Sequence, residues 1–204
     1  MSRLRSAALI GNPNAGKSAL FNALTGAHQK IANYPGVTVE RKAGRFVLDG
    51  RTVELIDLPG TYSLAARSLD EMIAVDVLLG RHEAAAPVDL VIAVVDAANL
   101  DRNLFLVSQI LELGVPLIVA LNMIDGATRR GIALDHDELS RRLGVPVVPL
   151  RADKGEGIDA LRDAVRAAID IPEVPPSPRI VYPAELVSAI DGLEALASSA
   201  NAGS

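Results

Sequence analysis

Cysteine and tryptophan are absent from the 204 residues, and histidine, tyrosine and phenylalanine occur only three times each. Without cysteine there is no disulfide framework, no thiolate metal site and no thiol redox chemistry, a composition that agrees with a cytosolic setting. Aromatic residues make up 3% of the chain, and acidic residues outnumber basic ones, 25 to 20. A nucleic-acid-binding surface would carry a basic patch or stacking rings, so nucleic acid is not an expected partner. Hydrophobic residues reach 50%, yet no uncharged apolar run approaches the roughly 18 residues of a membrane-spanning helix. The apolar stretch after Arg3 and Arg5 ends too soon for a signal peptide. The expectation is a soluble chain, long enough for one domain of ordinary size and an appendage.

What ends that stretch is Gly11-Asn12-Pro13-Asn14-Ala15-Gly16-Lys17-Ser18, a match to the phosphate-binding pattern G-x-x-x-x-G-K-[ST] placed directly after the strand-like run Ser6 to Ile10. Glycines let the backbone curl so that successive N–H groups converge on phosphate oxygens, and a helix starting near Lys17 aims its positive end at the same anion. Lys17 is expected to bridge the terminal phosphates, Ser18 to ligate magnesium, and Ala19 to continue the nucleotide-binding stretch.

Around this loop, apolar strand candidates alternate with amphipathic helix candidates, which specifies a mostly parallel sheet covered on both faces. Six strands are predicted: Ala7 to Ile10, Arg45 to Leu48, Thr52 to Ile56, Leu90 to Val95, Pro116 to Leu121 and Val145 to Pro149. Asp49-Gly50 reads as a tight hairpin turn, making one edge pair antiparallel. Helices are predicted over Lys17 to Leu24, Ser68 to Leu79, Asn103 to Leu113, Asp135 to Leu143 and Ile158 to Ile169. The third of these, closed by Gly114, carries a core-packing stripe of Leu104, Val107, Ile110 and Leu111.

Four further motifs follow in order. The segment His28 to Glu40 lacks periodicity and is expected to be a mobile switch loop, with Gly36, Val37 and Thr38 near the nucleotide and Thr38 a second magnesium ligand. Asp57-Leu58-Pro59-Gly60 ends an apolar strand; Asp57 can hold magnesium through water and Gly60 can offer its N–H to the γ-phosphate. Thr61 to Arg67 then reads as a second switch. Asn122-Met123-Ile124-Asp125 follows another strand, and the Asp125 carboxylate can accept from guanine N1–H and the 2-amino group. Adenine lacks both donors, and each unmade bond costs on the order of 1–3 kcal/mol, which favours GTP over ATP. In Arg151-Ala152-Asp153 a backbone N–H can meet the guanine carbonyl oxygen.

These elements, in this order, resemble the translation-factor-related small GTPases, and more narrowly the cytosolic G domain of FeoB ferrous iron transporters. Besides the phosphate loop, the matching stretches are Asn33-Tyr34-Pro35-Gly36-Val37-Thr38-Val39-Glu40-Arg41-Lys42, Asp57-Leu58-Pro59-Gly60-Thr61-Tyr62-Ser63-Leu64, Ser68-Leu69-Asp70-Glu71, Val94-Val95-Asp96-Ala97-Ala98-Asn99-Leu100 and Ala120-Leu121-Asn122-Met123-Ile124-Asp125, of which the first and last are the specific ones. The resemblance implies a P-loop GTPase of α/β class cycling between GTP and GDP on the cytoplasmic side of the inner membrane, coupled to a membrane domain of the same longer protein. Met123 stands where most GTPases carry lysine, and Thr61 where Ras-like enzymes carry the glutamine that orients water. Hydrolysis is therefore expected to be slow, an unaided GTPase running at roughly 10⁻⁴ per second, or assisted. Arg41 and Arg67 are candidate arginine fingers. The resemblance favours potassium instead: Asn14 occupies the position at which potassium-activated GTPases hold the ion, and joins Lys17, Thr38 and Gly60 as a catalytic candidate.

From Ile171 the composition changes. Pro172, Pro175, Pro176, Pro178 and Pro183 mark a stiff linker over 171–183, so the G domain is expected to span 1–170. Residues 184–204 show one amphipathic helix through Val187, Ile190, Leu193 and Leu196, by resemblance the start of a truncated helical domain, with a short natural GTPase carrying a docking helix as the alternative. Asp70, Glu71, His82, Glu83, Asp135 and His136 read as solvated helix faces or caps and not as an iron site. Two other functions stay open: an RNA-associated GTPase of the Era or EngA kind, and a nucleotide-sensing module that barely turns over. A homo-oligomer is also compatible with the sequence.

Overall fold

The computed structural model describes residues 5–34, 37–66, 68–81 and 88–170. Expectations that fall on Pro35, Gly36, Arg67, His82, Glu83, the linker 171–183 and the helix after it lie outside the described residues.

In chain order the elements are β1 (Arg5–Gly11), α1 (Lys17–Thr25), β2 (Gln29–Asn33), β3 (Glu40–Leu48), β4 (Arg51–Asp57), α2 (Leu69–Leu78), β5 (Leu90–Asp96), α3 (Leu100–Glu112), β6 (Leu117–Asn122), α4 (Ile124–Arg129), α5 (His136–Leu143), β7 (Val147–Pro149) and α6 (Ile158–Asp170). The strands form one sheet in the order β2-β3-β4-β1-β5-β6-β7. Neighbours from β4 through β7 pair in parallel, while β2–β3 and β3–β4 are antiparallel. The β3–β4 connection is the expected two-residue turn, with positive φ at both Asp49 (49°) and Gly50 (75°).

Alternation along the central strands divides the core in two. Ala8 and Ile10 of β1 with Val91, Ala93 and Val95 of β5 face α2 and α3, through Ile73, Val77, Leu106 and Ile110. Ala7 and Leu9 with Leu90, Ile92 and Val94 face α1 and α6, through Phe21, Leu24, Leu161 and Val165. Strands buried on both faces must be apolar throughout, which is why β1, β5 and β6 read as continuous hydrophobic runs.

Among the described residues the sheet has seven strands where six are expected, and part of the segment read as a mobile loop is strand. All five side chains of β2 are exposed, so no alternation marks it; backbone pairing with β3 alone defines it. A longer β3, beginning at Glu40 and not Arg45, supplies that partner. The short helix α4 was also not expected. Asp135 caps α5 by accepting from the Glu138 N–H at 2.8 Å, and Ser68 caps α2 above Asp70 and Glu71, matching their reading as caps and helix faces.

Candidate functional site

The ends of β1, β4, β5 and β6 lie at one edge of the sheet, and β1 stands where the chain order reverses, the position at which open α/β sheets form their ligand crevice. The loop from Gly11 to Ser18 leaves β1 there. It turns through positive φ at Asn14 (68°) and Gly16 (92°) before α1 begins at Lys17. Gly16 has no room for a side chain, since a Cβ would stand 2.1 Å from the Asn122 amide nitrogen. That amide donates to the Ala15 carbonyl at 2.9 Å, while its oxygen accepts the Ala152 N–H at 3.0 Å. Asn122, buried at the end of β6, thus ties the phosphate loop to the loop after β7. Asn12 is buried as well, against the Arg102 carbonyl of α3 at 3.5 Å, while Pro13, Asn14 and Ser18 are exposed.

Parallel pairing of Leu9 with Asp57 brings the second motif against the first. The Leu58 N–H donates to the Leu9 carbonyl (2.9 Å) and the Thr61 N–H to the Gly11 carbonyl (3.2 Å). Gly60 lies so close that a Cβ would come 3.3 Å from the Pro13 nitrogen and 3.5 Å from the Gly11 oxygen. The Asp57 carboxylate faces two ammonium groups, Lys17 at 3.2 Å and Lys42 of β3 at 3.9 Å. Ser18, Asp57 and Thr38 offer only oxygen donors, the set a hard cation such as magnesium takes, and Asp57 already gathers positive charge.

Thr61 is buried, its hydroxyl set between the Ser63 carbonyl (2.6 Å) and the Glu71 carboxylate (3.1 Å). The following residues are tied to α3: Gln109 accepts the Leu64 N–H at 2.8 Å, and the Arg102 guanidinium lies 4.0 Å from the centre of the Tyr62 ring.

On the other side of the phosphate loop a cavity of about 570 Å³ is lined by Gly16, Ala19, Asn122, Met123, Asp125 and Asp153 among others. Met123 adopts the left-handed conformation (φ 60°) that starts α4, and α4 places Asp125 in its first turn. A hydrogen bond from Arg129, 2.6 Å from Oδ2, holds the Asp125 carboxyl below the ordinary aspartate range, with Arg151 Nε 3.7 Å from Oδ1 adding to the effect. Arg151 also reaches Glu156 at 3.2 Å across a short bridge that shapes its loop. The Ala152 N–H is engaged by Asn122, so Asp153 is the residue of that loop that lines the cavity.

Most predicted residues therefore converge. Thr38 is exposed, next to Val39, whose carbonyl accepts the Tyr34 N–H at 2.9 Å. Arg41 does not face the phosphate loop: it alternates with Lys42 on β3 and pairs with Glu54 at 3.7 Å. Lys42, Arg102, Gln109 and Arg129 were not anticipated. Of these, Lys42 was legible, because counting back from the Asp49-Gly50 turn sets it opposite Asp57.

A family model described as Ferrous iron transport protein B matches residues 5–165. The Fe(2+) transporter FeoB of Salmonella typhimurium is 55% identical over 161 residues, 77% of this chain and 20% of that protein. The chain thus spans about a fifth of the length of the curated relatives it matches. Among solved structures, the cytosolic domain of L. pneumophila FeoB superposes with a TM-score of 0.83 at 42% identity, covering 95% of this chain and 80% of the other. The cytosolic domain of T. maritima FeoB in its GMPPNP form gives 0.79 at 44% identity, covering 84% and 66%.

Proposed function

The chain belongs to the Ferrous iron transport protein B family, and we propose that it binds GTP, hydrolyses it slowly to GDP and phosphate, and switches between the two states as part of a ferrous iron uptake protein at the inner membrane. The observation that carries this reading is the Asn122 bridge, which ties the phosphate loop to the loop after β7 beside a cavity that Gly16, Asn122 and the base-motif residue Asp125 all line. Backbone N–H groups of the loop that follows Pro13, from Asn14 to Ser18, and the Lys17 ammonium hold the phosphates. Asp125 accepts from the guanine N1–H and 2-amino groups while Met123 covers the ring.

Ser18 and Thr38 directly, and Asp57 through water, would hold magnesium, which would supply positive charge against the phosphates. Gly60 offers its N–H to the γ-phosphate, Ala19 lines the cavity beside Gly16, and Val37, Leu58 and Pro59 belong to the segments that carry the two switch motifs. A water attacks the γ-phosphorus, the bond to the β–γ bridging oxygen breaks, and GDP leaves. Thr61, turned inward to Ser63 and Glu71, does not orient that water, which supports a slow intrinsic rate. Asn14, exposed on the phosphate loop, has an amide oxygen that would help hold potassium, which would supply the positive charge an arginine finger brings elsewhere.

Phosphate release under multiple turnover in matched potassium and sodium chloride tests the reading. Faster turnover in potassium, lost in Asn14→Ala, is the expected result. Equal rates, or a potassium response that survives the substitution, would remove potassium from the mechanism, and no turnover at all would leave only a nucleotide-binding module.

A further inference from the structure

Two lysines share Asp57, and only one of them is accounted for by phosphate binding. Lys17 Nζ lies 3.2 Å from Asp57 Oδ1, whereas Lys42 Nζ lies 3.9 Å from Oδ2. Lys42 comes from the strand opposite, in direct register with Asp57, and its ammonium sits 4.5 Å from the centre of the Phe21 ring of α1. Its side chain is 19% exposed and that of Asp57 9%. The cation is therefore seated between a carboxylate and an aromatic face, and is not a solvated surface lysine.

The phosphate-binding role proposed for Lys17 draws its ammonium away from Asp57. When Lys17 moves to the phosphates, it leaves a nearly buried carboxylate that must find another positive charge, because an uncompensated charge in such a place is costly. We propose that Lys42 is that charge: a positioning residue that holds Asp57 when Lys17 leaves, and so stands in for magnesium during nucleotide binding and release. The proposal rests on the nucleotide and magnesium reading above. Lys42 acts on magnesium in two ways with the same sign. It lowers the cost of binding nucleotide without the metal, and its like charge opposes the metal's approach to Asp57. Removing it makes nucleotide affinity depend more steeply on magnesium.

The test is the affinity of the 204-residue chain for a fluorescent GMPPNP, measured in EDTA and in saturating magnesium, for the original sequence, Lys42→Met and Lys42→Arg. The gain in affinity on adding magnesium is expected to rise about tenfold in Lys42→Met, since the carboxylate then relies on the metal alone. In Lys42→Arg, which keeps the charge, it is expected to stay within about threefold of the original, because only the geometry of the pair changes. General loosening of the fold weakens binding in both buffers alike and leaves this ratio unmoved. Lys42→Gln serves as the second charge-removing variant if the methionine variant does not fold. An unchanged ratio in a folded charge-removing variant, or an arginine variant that behaves like the methionine one, would overturn the proposal alone. A chain that binds no guanine nucleotide in either buffer would overturn the parent reading and this one with it.

Discussion

The side-chain amide of Asn122 donates to the carbonyl of Ala15, 107 residues earlier, at 2.9 Å, while its oxygen accepts the Ala152 N–H at 3.0 Å. One buried amide thus spans the phosphate loop and the loop after β7. Truncation to alanine strands a carbonyl and an N–H inside the protein, and each unmet group costs about 1–3 kcal/mol. Asn122→Ala is expected to lower the unfolding free energy by about 2–4 kcal/mol in urea titration and to weaken GDP binding at least about tenfold. A variant that stays within about 0.5 kcal/mol would show that water replaces the amide.

Gly60 presses its backbone on Pro13 and Gly11, leaving 3.3 Å for any added Cβ. Alanine there has to displace either the phosphate loop or its own peptide, whose N–H is proposed to meet the γ-phosphate. Gly60→Ala is expected to weaken GMPPNP binding about tenfold while GDP binding stays within about threefold, as overpacking of about 1–2 kcal/mol falls on the γ-phosphate contact alone. Equal losses for both nucleotides would place the strain on the whole loop.

Gln109 accepts the Leu64 N–H at 2.8 Å and so ties the second switch to α3. Because the tie is peripheral to the core, cutting it loosens the segment without unfolding the domain. In Gln109→Ala, amide exchange at Leu64 is expected to accelerate about tenfold while global stability changes by under about 1 kcal/mol. Unchanged exchange would mean that the Arg102–Tyr62 contact holds the segment by itself.

Elements that bury an apolar face were legible in the sequence, as was the Asp49-Gly50 turn; a strand defined by its ladder alone and a helix started by a left-handed methionine were not. The runs in β1, β5 and β6 have to be apolar because helices cover both sides, so composition locates them. Every side chain of β2 faces solvent, and nothing but its ladder with β3 distinguishes it from loop. The short helix α4 starts from a left-handed Met123, a conformation that no residue preference signals for methionine. At the site, the phosphate loop and the base motif could be read as chemistry because their spacing is fixed by phosphate and guanine. Asn122 was legible as part of the base motif but not as the brace between two loops, since that role depends on where Ala15 and Ala152 end up in space. Lys42 is a middle case. Its register with Asp57 follows from the turn at Asp49-Gly50, yet the Phe21 ring beside its ammonium comes from α1 and is placed only by the fold.

Arg129 donates to Asp125 at 2.6 Å, and this bond is the chief reason the carboxyl titrates below the ordinary aspartate value of 3.8. For a carboxylate with a depressed folded-state pKa, the stabilisation is present above the unfolded value and is lost as pH falls through the folded one. The window therefore lies at and below 3.8, beneath the range in which guanine would be bound, so Asp125 stays ionised throughout that range. Arg129→Ala removes the larger cause and leaves Arg151 and the Gly126 N–H. Carbon-13 NMR titration of the Asp125 carboxyl is expected to move its midpoint upward toward 3.8 in the variant, with GDP affinity flat between neutral pH and the onset of that titration in both proteins. If the midpoint stays put, Arg151 holds the carboxylate, and Arg151→Ala becomes the variant that shifts it.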